Sequence, residues 1–478
     1  MKSKNMSVHY LFCAGRFIPT DHSIEVKNPH SGEVVSTTYL AGKQELEEAI
    51  DKAVKVREDL KNLPSHKRYR ILKDIADKLE ENKEQFALLI AKEAAKPFKY
   101  ALSETNRAIQ TFTVAAEEAK RLPKEYMSLD WTPAGENKEG IVKYFPVGPV
   151  TAISPFNFPL NLAVHKLAPA IASGCPVVLK PATRTPLATL ELSKIIAQTD
   201  LPAGAVSVLP MNRETGNMLV TDERFKLLTF TGSPSVGWKM KQSAGKKKVL
   251  LELGGNAGVI VTESADINKA VDRCVVGGFA YAGQVCIHTQ RIYVHEEVFE
   301  EFSKQFIEKV EALRLGPPEE QNTDITSMID ETNAKRVEEW VQESLDSGAK
   351  ILAGGERHGA YYKPTVLTNT KSSMKVCSME VFGPVVTLEK YSEFENAVKE
   401  LNNSRYGLQA GVFTDSIYEM NYSLNQIDVG GVIINDVPTF RVDHMPYGGV
   451  KDSGMGREGI KYAIAEMMEP KILVKNTY

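Results

Sequence analysis

Six segments between residues 148 and 232 decide the fold, because short apolar runs alternate there with longer amphipathic runs. In chain order they are GPVTAIS (148–154), LNLAVHKLAPAIASG (160–174), CPVVLKP (175–181), TPLATLELSKIIAQ (185–198), VSVLP (206–210) and KLLTFTG (226–232). The short runs predict buried strands, and the longer runs predict helices between them. Such alternation is typical of a parallel, doubly wound sheet, which binds nucleotides beyond the carboxyl ends of its strands.

The same alternation continues farther along the chain. AGVIVT (257–262) and TQRIYVH (289–295) predict strands, with a long helix predicted from Asp266 to about Ala282 between them. Upstream, two amphipathic helices are predicted from residues at helical spacing, namely Leu46, Ala49, Ile50, Ala53 and Val54, then Leu72, Ile75, Ala76 and Leu79. The segment 121–145 has a polar tip and predicts a hairpin. We therefore expect two α/β domains and a small β excursion.

Composition excludes several functional classes. The 478 residues are too many for one core, and 58 Lys and Arg nearly balance 61 Asp and Glu, so neither nucleic acid nor an anionic membrane is an expected partner. Apolar stretches are too short to span a bilayer, and the N-terminus lacks a signal-peptide core. Five scattered cysteines without a C-x-x-C pair argue against disulfides and zinc. We expect a cytoplasmic protein with no metal site.

No G-x-G-x-x-G fingerprint follows any predicted strand. Instead, strand 226–232 leads into a glycine-containing turn, Gly232–Gly237, where free backbone N–H groups at a helix start could bind a pyrophosphate. An ordinary strand-to-helix turn is an equally good interpretation. Lys180, at the end of another strand, could reach a ribose or phosphate, or could simply be solvated.

Three residues have types suited to acyl transfer. Cys286 follows a long helix at a turn of small residues, although a lone cysteine is more often a buried apolar residue than a nucleophile. Its neighbour His288 is interpreted as structural, since sequence neighbours rarely form a thiol–base pair. Glu252 ends an apolar run, where burial raises the pKa of a carboxyl group towards that of a general base. Asn157 could donate to an oxyanion or cap the next helix.

The chain resembles the aldehyde dehydrogenase superfamily through a set of motifs in the order that the family shows. They are Pro155-Phe-Asn-Phe-Pro159, Lys180-Pro-Ala, Phe230-Thr-Gly-Ser233, Glu252-Leu-Gly-Gly255, Gly283-Gln-Val-Cys286, Glu380-Val-Phe-Gly-Pro384 and Pro446-Tyr-Gly-Gly-Val-Lys-Asp-Ser-Gly454. Together they cover the chain from about residue 10 onward. The resemblance implies a Rossmann-like cofactor domain (1–120 and 146–251), a catalytic domain (252–440) and a bridging element (121–145 and 460–478) through which dimers or tetramers form.

The resemblance also implies roles for the acyl-transfer residues. Cys286 would attack an aldehyde, Asn157 and the Cys286 backbone N–H would hold the oxyanion, and a thioester would remain after hydride transfer to NAD(P). Glu252 would activate water to hydrolyse that thioester, whereas members that transfer the acyl group to coenzyme A often lack this acid. The residues implied in cofactor binding are Ser154, Pro155, Phe156, Lys180, Thr183, Arg184, Gly216, Phe230, Gly232, Ser233, Val236, Leu253, Gly254, Glu380 and Phe382.

Two departures from common family patterns bear on specificity. Thr183 stands where enzymes that prefer NAD often carry glutamate, and its neutral side chain would not repel a 2′-phosphate. We therefore expect NADP to be preferred and NAD to be secondary, with Arg184 either assisting or pointing into solvent. The substrate tunnel is expected to be polar and to suit a short hydroxylated or anionic aldehyde, such as lactaldehyde, succinate semialdehyde or a phosphorylated aldehyde. Its residues are expected to be Arg107, Phe158, Asn161, His165 and Arg441.

Alternatives remain at this point. The two arginines of the expected tunnel could form structural ion pairs instead of binding substrate. A thiol hydrolase that uses Cys286 without a cofactor would leave Lys180, Glu380 and the turn at 232–237 unexplained. A silent structural relative would be expected to lack the nucleophile.

Overall fold

Residues 7–477 are described by a computed structural model, and residues 1–6 and 478, which belong to the expected domain ranges, lie outside the described part. The helices are α1 (Lys43–Asn62), α2 (Ser65–Glu81), α3 (Lys83–Ala94), α4 (Phe98–Ala119), α5 (Asn161–Ser173), α6 (Leu187–Ile196), α7 (Arg213–Thr221), α8 (Pro234–Ser243), α9 (Ile267–Phe279), α10 (Phe299–Glu311), α11 (Glu331–Asp346), α12 (Lys375–Ser378), α13 (Phe394–Asn402), α14 (Ile417–Gln426) and α15 (Ile460–Glu466). The strands are β1 (Val8–His9), β2 (Leu11–Cys13), β3 (Arg16–Ile18), β4 (Ser23–Lys27), β5 (Val34–Tyr39), β6 (Lys124–Ser128), β7 (Lys138–Pro146), β8 (Val150–Ile153), β9 (Val177–Lys180), β10 (Val206–Val208), β11 (Leu227–Thr231), β12 (Lys248–Glu252), β13 (Ala257–Val261), β14 (Thr289–His295), β15 (Lys350–Ala353), β16 (Arg357–His358), β17 (Tyr361–Tyr362), β18 (Thr365–Thr368), β19 (Val385–Tyr391), β20 (Tyr406–Gly407), β21 (Gln409–Phe413), β22 (Gly431–Ile434), β23 (Val450–Lys451), β24 (Gly454–Met455) and β25 (Met468–Asn476).

The first large sheet has the strand order β24-β12-β11-β8-β9-β10-β2-β3. Its five central strands are parallel, and the edge strands pair antiparallel. From β8 the chain adds β9 and β10 on one side, then returns to add β11 and β12 on the other. The order therefore reverses between β8 and β11, and such a reversal opens a crevice at the carboxyl ends of the strands. The predicted doubly wound fold is confirmed.

Helices cover both faces of this sheet. One face packs against α2, α4, α5 and α6, and the other packs against α1 and α7. The buried stripe predicted for α2 is confirmed, whereas one position predicted for α1 is wrong: Val54 is exposed and Val56 is buried. The helical stripe of α1 runs through Ala49, Ala53, Val56 and Leu60, so Val54 lies beside it.

The second large sheet has the order β15-β18-β19-β14-β13-β21-β22 and is parallel except for β15. Helices α9 and α10 pack on one face and α13 on the other, as a doubly wound sheet requires. The helix predicted from Asp266 begins at Ile267 with Asp266 as its N-cap, but it ends at Phe279 instead of about Ala282. The reason is that Tyr281 and Ala282 both have a left-handed backbone with φ of 50°.

The hairpin predicted at 121–145 is confirmed as β6 and β7, and β25 pairs antiparallel with β7 along its full length. Apolar side chains stand exposed on this three-stranded sheet and its loop, among them Tyr126, Trp131, Ile472, Leu473 and Val474.

The chain returns to the first sheet after it has built the second. β24 pairs with β12, and α15 packs into the same core as α4 and α5. Helix α15 lies within the range 460–478, which was expected to form the bridging element, yet it packs into the core of the first sheet. The domain limits therefore stay a prediction. Within the described residues, none of the helices is both long and apolar enough to cross a membrane.

Candidate active site

A cavity of about 850 Å³ lies at the carboxyl ends of β8, β9 and β11, where the strand order reverses. Five of the residues expected to bind the cofactor line it: Lys180, Thr183, Gly216, Phe230 and Val236. Gly216 permits a close approach, because a Cβ added there would meet the Lys180 side chain at 3.2 Å. The size and position of the cavity suit the adenosine end of a dinucleotide.

The charge lining this cavity is positive. Besides Lys180, whose pKa burial lowers, two residues that sequence reasoning missed contribute cations, Arg213 and Lys239. Both are exposed, and the described lining contains no Asp or Glu. Arg213 is the first residue of α7 and follows the N-cap residue Asn212. That capping residue is the signal in the sequence that could have placed Arg213 near a strand end.

Thr183 and Arg184 lie in a turn that the Thr185 N–H closes by donating to the Ala182 carbonyl oxygen at 3.2 Å, and their side chains diverge. The Thr183 hydroxyl donates to the Met211 carbonyl oxygen at 3.2 Å and borders the cavity. Arg184 instead forms an ion pair with Asp330 at 3.0 Å and lines a separate depression. The structure therefore does not bring Arg184 together with the other residues expected to bind the cofactor.

Helix α8 begins beside this cavity, with Gly232 and Ser233 at its N-terminus. No side chain caps it, and although Pro234 has no N–H and the Val236 N–H donates to the Ser233 carbonyl oxygen, the Ser235 N–H stays available for an anion. Gly232 is required here, because a Cβ would lie 2.5 Å from the Phe230 ring.

The end of the crevice nearest the cysteine is formed by residues from both sheets. The Glu380 carboxylate accepts a hydrogen bond from the Gly255 N–H at 3.1 Å, and burial raises the pKa of Glu380 to about 7. Gly254, which follows the buried Leu253, lets this carboxylate approach, because a Cβ would overlap it.

Two aromatic rings and a buried hydroxyl complete this end. The rings of Phe156 and Phe382 meet edge to face with centroids 5.9 Å apart, and Phe382 adopts a left-handed φ of 45°. Next to Pro155, the Ser154 hydroxyl is buried without a protein partner. An unpaired buried hydroxyl suits a ligand that supplies the missing partner. The donors and the carboxylate thus fit a dinucleotide that extends from the cavity towards Cys286.

The loop before Cys286 is held in an unusual backbone conformation. Gly283 has a φ of 66°, and a Cβ there would overlap the Gly383 carbonyl. The Asn157 side-chain amide donates to the Gln284 carbonyl oxygen at 2.9 Å, which brings Asn157 to the cysteine loop. An amide has two N–H groups, so the second remains for an oxyanion.

Cys286 is partly exposed, and its Sγ lies 3.1 Å from the hydroxyl oxygen of Tyr447. Burial raises the pKa of the Cys286 thiol to about 11, against the hydrogen bond from Tyr447 and the charge of Arg441. His288 faces elsewhere, since its Nε2 bonds to the Gly278 carbonyl oxygen at 2.8 Å. The expectation that His288 is structural is confirmed, and the Cys286–His288 pair of a thiol hydrolase is not formed.

Glu252, at the end of β12, is buried, and its Oε2 has no partner. Burial raises its pKa well above the usual value, and the nearby charge of Glu458 adds to this rise. Arg441 acts in the opposite direction. Because Gly448 has no side chain, its backbone lies against the Glu252 carboxyl group. A carboxyl group with a raised pKa and a free oxygen can accept a proton from water.

A cluster of charged residues lies behind the cysteine, and we call it the buried charge cluster. It consists of Arg107, His165, Lys166, Arg441, Asp443 and Glu458, of which sequence reasoning missed Lys166, Asp443 and Glu458.

Two carboxylates organise this cluster. Asp443 accepts from Arg107 and bonds to His165, both at 2.7 Å. Glu458 pairs with Lys166 at 3.2 Å and with Arg441 at 3.1 Å. Both arginines of the expected tunnel are thus ion-paired, as the structural alternative anticipated.

Three further observations describe the expected tunnel. The side-chain Oδ1 of Asn161 accepts from the Thr111 hydroxyl at 3.2 Å, whereas its buried Nδ2 has no partner. The Phe158 ring packs beside Cys286 and Tyr447, with the Lys96 ammonium 3.6 Å from its centroid. Arg107 is the more exposed arginine, with a side chain 26% exposed against 4% for Arg441.

The chain is similar to known proteins along nearly its whole length. The model of the aldehyde dehydrogenase family matches residues 17–473. A 3-sulfolactaldehyde dehydrogenase from Priestia aryabhattai is 43% identical over 468 residues, which covers 98% of each chain.

Two solved structures are also similar. Aldehyde dehydrogenase 21 from Physcomitrella patens, in complex with the reaction product succinate, has 45% identity and a TM-score of 0.98 over 99% of each chain. A glyceraldehyde-3-phosphate dehydrogenase from Methanocaldococcus jannaschii, in complex with NADP, has 40% identity and a TM-score of 0.91, covering 95% of this chain and 99% of that one. With a cysteine loop, a buried glutamate and a dinucleotide-sized crevice already in place, these matches show that the chain belongs to the aldehyde dehydrogenase family.

Proposed function

We propose that the protein oxidises a small anionic aldehyde to the carboxylic acid through a thioester on Cys286, with NADP as the preferred cofactor and NAD as a secondary one. The observation that carries this proposal is the meeting of three groups. The Asn157 side-chain amide is bonded to the loop that carries Cys286. Tyr447 and Gly448 are neighbours in one segment, in which the Tyr447 hydroxyl contacts the Cys286 sulfur and the Gly448 backbone lies against the Glu252 carboxyl group.

Each of these groups has a step in the reaction. The Cys286 sulfur attacks the aldehyde carbon, and the resulting oxyanion is stabilised by the second N–H of Asn157 and by the Cys286 backbone N–H. The bound dinucleotide supplies the acceptor for the hydride that leaves this carbon, so that a thioester remains. Glu252 takes a proton from water as the water oxygen attacks the thioester carbon. The C–S bond then breaks, and the acid and the thiolate separate.

The more exposed arginine of the buried charge cluster supports an anionic substrate. The cations Arg107, Lys166 and Arg441 are ion-paired with the carboxylates Asp443 and Glu458, and a third carboxyl group, Glu252, also acts on Arg441. Although burial opposes ionisation, Lys166 and its neighbours hold the pKa of Glu458 at about 2, so both acids stay charged. Arg107 is the arginine best exposed to meet a substrate anion, since its side chain is 26% exposed against 4% for Arg441.

Two polar residues add to this argument. The unpartnered Nδ2 of Asn161 is a donor that a hydroxyl or carboxylate oxygen could satisfy. His165 offers a polar imidazole rather than a further cation, because burial and Arg441 lower its pKa. The similar proteins act on 3-sulfolactaldehyde in one case and hold succinate in another, and both molecules are short and anionic.

The cavity at the carboxyl ends of β8, β9 and β11, which suits the adenosine end of a dinucleotide and which we call the adenosine cavity, supports NADP. Lys180, Arg213 and Lys239 border it without a balancing acid, and Thr183 presents no charge. A 2′-phosphate adds negative charge that such a lining attracts, whereas the 2′-hydroxyl of NAD gains nothing from it. One similar structure is an NADP complex.

The experiment is an absorbance assay for NADPH formation with 3-sulfolactaldehyde, succinate semialdehyde and the neutral propionaldehyde. We expect the anionic aldehydes to have the higher kcat/KM. Cys286→Ala should lose turnover but still bind NADP, whereas Cys377→Ala, at another partly exposed free cysteine, should keep it. Oxidation by Cys286→Ala at a near-normal rate would overturn the thioester mechanism, and faster oxidation of propionaldehyde would overturn the substrate class.

The oligomeric state and the cellular location complete the proposal. A homo-oligomer would cover the exposed apolar residues of the sheet formed by β6, β7 and β25, since such a patch is rarely left in water. A cytoplasmic location would keep all five cysteines as the free thiols that the structure has. Light scattering of the purified protein, with Leu473→Asp as the disruptive variant, tests the first property.

A further inference from the structure

Tyr447 makes a contact with the nucleophile to which neither the sequence motifs nor the proposed mechanism gives a role. Its hydroxyl oxygen lies 3.1 Å from the Cys286 sulfur, which is hydrogen-bonding distance. The side chain is only 2% exposed, and it packs with Phe158, Val285 and Leu408 around Cys286. The contact is therefore built into the packing of the site.

The chemistry of the two groups fixes the direction of this hydrogen bond once the thiol ionises. A thiolate has no hydrogen to donate, so the phenol must be the donor. Burial raises the pKa of Tyr447 well above its usual value, and the nearby Cys286 raises it further, so the phenol keeps its proton. Hydrogen bonds to charged groups are about twice as strong as neutral ones, so this contact favours the thiolate over the thiol.

The ring of Tyr447 is held from its other side. The Arg441 guanidinium lies over it at 3.6 Å from the centroid, and Glu458 binds this guanidinium in turn. The Tyr447 backbone also exchanges two hydrogen bonds with Glu458, at 3.0 Å and 2.6 Å. A cation over the ring withdraws electron density from it, which makes the phenol a stronger donor.

The remaining charges near the cysteine do not provide this stabilisation. Glu252 and Glu380 both raise the pKa of Cys286, because each is a carboxyl group whose charge repels a thiolate. Arg441 lowers it, but the Tyr447 side chain stands between them. Among the described groups that face the sulfur, Tyr447 is thus the one in direct contact that favours ionisation.

We propose that Tyr447 is a catalytic residue that donates a hydrogen bond to the Cys286 thiolate, and that Arg441 is a positioning residue that acts through the tyrosine ring. This inference rests on the proposed function only in assigning the nucleophile. The ionisation of Cys286 can be measured without aldehyde or cofactor.

The test is the rate at which iodoacetamide alkylates Cys286, followed by mass spectrometry of the Cys286 peptide across a pH series. Tyr447→Phe keeps the ring and its contact with Arg441 and removes only the hydroxyl. Losing one hydrogen bond to the thiolate raises the pKa of the Cys286 thiol by roughly one to two units. The variant therefore has less thiolate at any pH below that pKa, although each thiolate is more nucleophilic because it is less stabilised. In that pH range, alkylation should slow about fourfold to tenfold.

The direction of the change separates this role from a structural one. A loosened loop exposes the thiol and speeds alkylation, so an equal or faster rate in Tyr447→Phe overturns the proposal. Tyr362→Phe, at a tyrosine that is 1% exposed and belongs to another core cluster, is the matched control and should alkylate like the wild type. If the wild type oxidises no aldehyde, the proposed function fails while the alkylation result stands on its own. If oxidation occurs but alkylation does not slow, only the role of Tyr447 fails.

Discussion

Replacing Thr183 by glutamate should reverse the cofactor preference. Thr183 borders the adenosine cavity beside Lys180, and the described lining has no acid. Two unit charges about 4 Å apart repel by about 1 kcal/mol in water and about 4 kcal/mol near a protein surface. The cavity is open to solvent, so we take about 1–2 kcal/mol for each charge.

A 2′-phosphate carries close to two negative charges, so the total penalty for NADP is about 2–4 kcal/mol. The corresponding fall in kcat/KM for NADP is about 30-fold to 1000-fold, since about 1.4 kcal/mol is tenfold. NAD should lose nothing, because its 2′-hydroxyl can donate to the new carboxylate.

The assay compares kcat/KM for NADP and NAD at a saturating aldehyde in the wild type, Thr183→Glu and Thr183→Gln. The glutamine variant has the size of glutamate without the charge, so it should keep most of the NADP activity. Equal losses in both variants would show that bulk, not charge, excludes the phosphate. A wild-type preference for NAD would refute our interpretation of the cavity.

Three further predictions concern the base, the substrate and stability. Glu252→Gln should slow thioester hydrolysis, so that rapid-mixing absorbance records a stoichiometric burst of NADPH before slow turnover; a loss of the burst itself would contradict the assigned step. Arg107→Gln should lower kcat/KM for succinate semialdehyde about tenfold or more but leave propionaldehyde unchanged, with the exposed Arg121→Gln as control; equal losses on both aldehydes would favour a structural ion pair. Burial lowers the pKa of His288 from 6.5 to about 4, so the unfolded chain binds a proton that the folded chain refuses between these values. Stability present above pH 6.5 should therefore fall by up to about 3 kcal/mol towards pH 4, and urea titrations should find a weaker fall in His288→Gln than in the exposed His22→Gln.

The parts of the fold that the sequence predicted are those determined by local pattern. The strands around 148–232 and 257–295 are short apolar runs between amphipathic helices, and their burial on both faces leaves little ambiguity. The early end of α9 was missed because Tyr281 and Ala282 adopt a left-handed backbone, and Tyr281 there makes a distant contact, in which its hydroxyl donates to the Ala94 carbonyl oxygen. No local pattern contains that information. Val54 was misassigned because it is apolar and adjacent to the buried Ala53, and helical spacing alone does not show on which side of Ala53 the buried stripe continues.

The candidate site shows the same division. Cys286, Glu252 and Asn157 were singled out because each follows a predicted strand or helix and has a residue type suited to acyl transfer, and the family resemblance implied their joint roles. Tyr447 and the carboxylates of the buried charge cluster could not be anticipated, because they lie in irregular chain whose path depends on packing between the two sheets. The pairing of Arg184 with Asp330 was missed for the same reason.

The late return of the chain to the first sheet sets an order of assembly during synthesis. Lys166 and His165 are made long before Asp443 and Glu458, yet they are buried and depend on these carboxylates. A nascent first sheet that closed early would bury an unpaired ammonium ion, at a cost of several kcal/mol. Its final packing therefore has to wait until about 290 further residues have left the ribosome. A thiol that reacts with aldehydes is thus completed only in a chain whose second sheet has already been made.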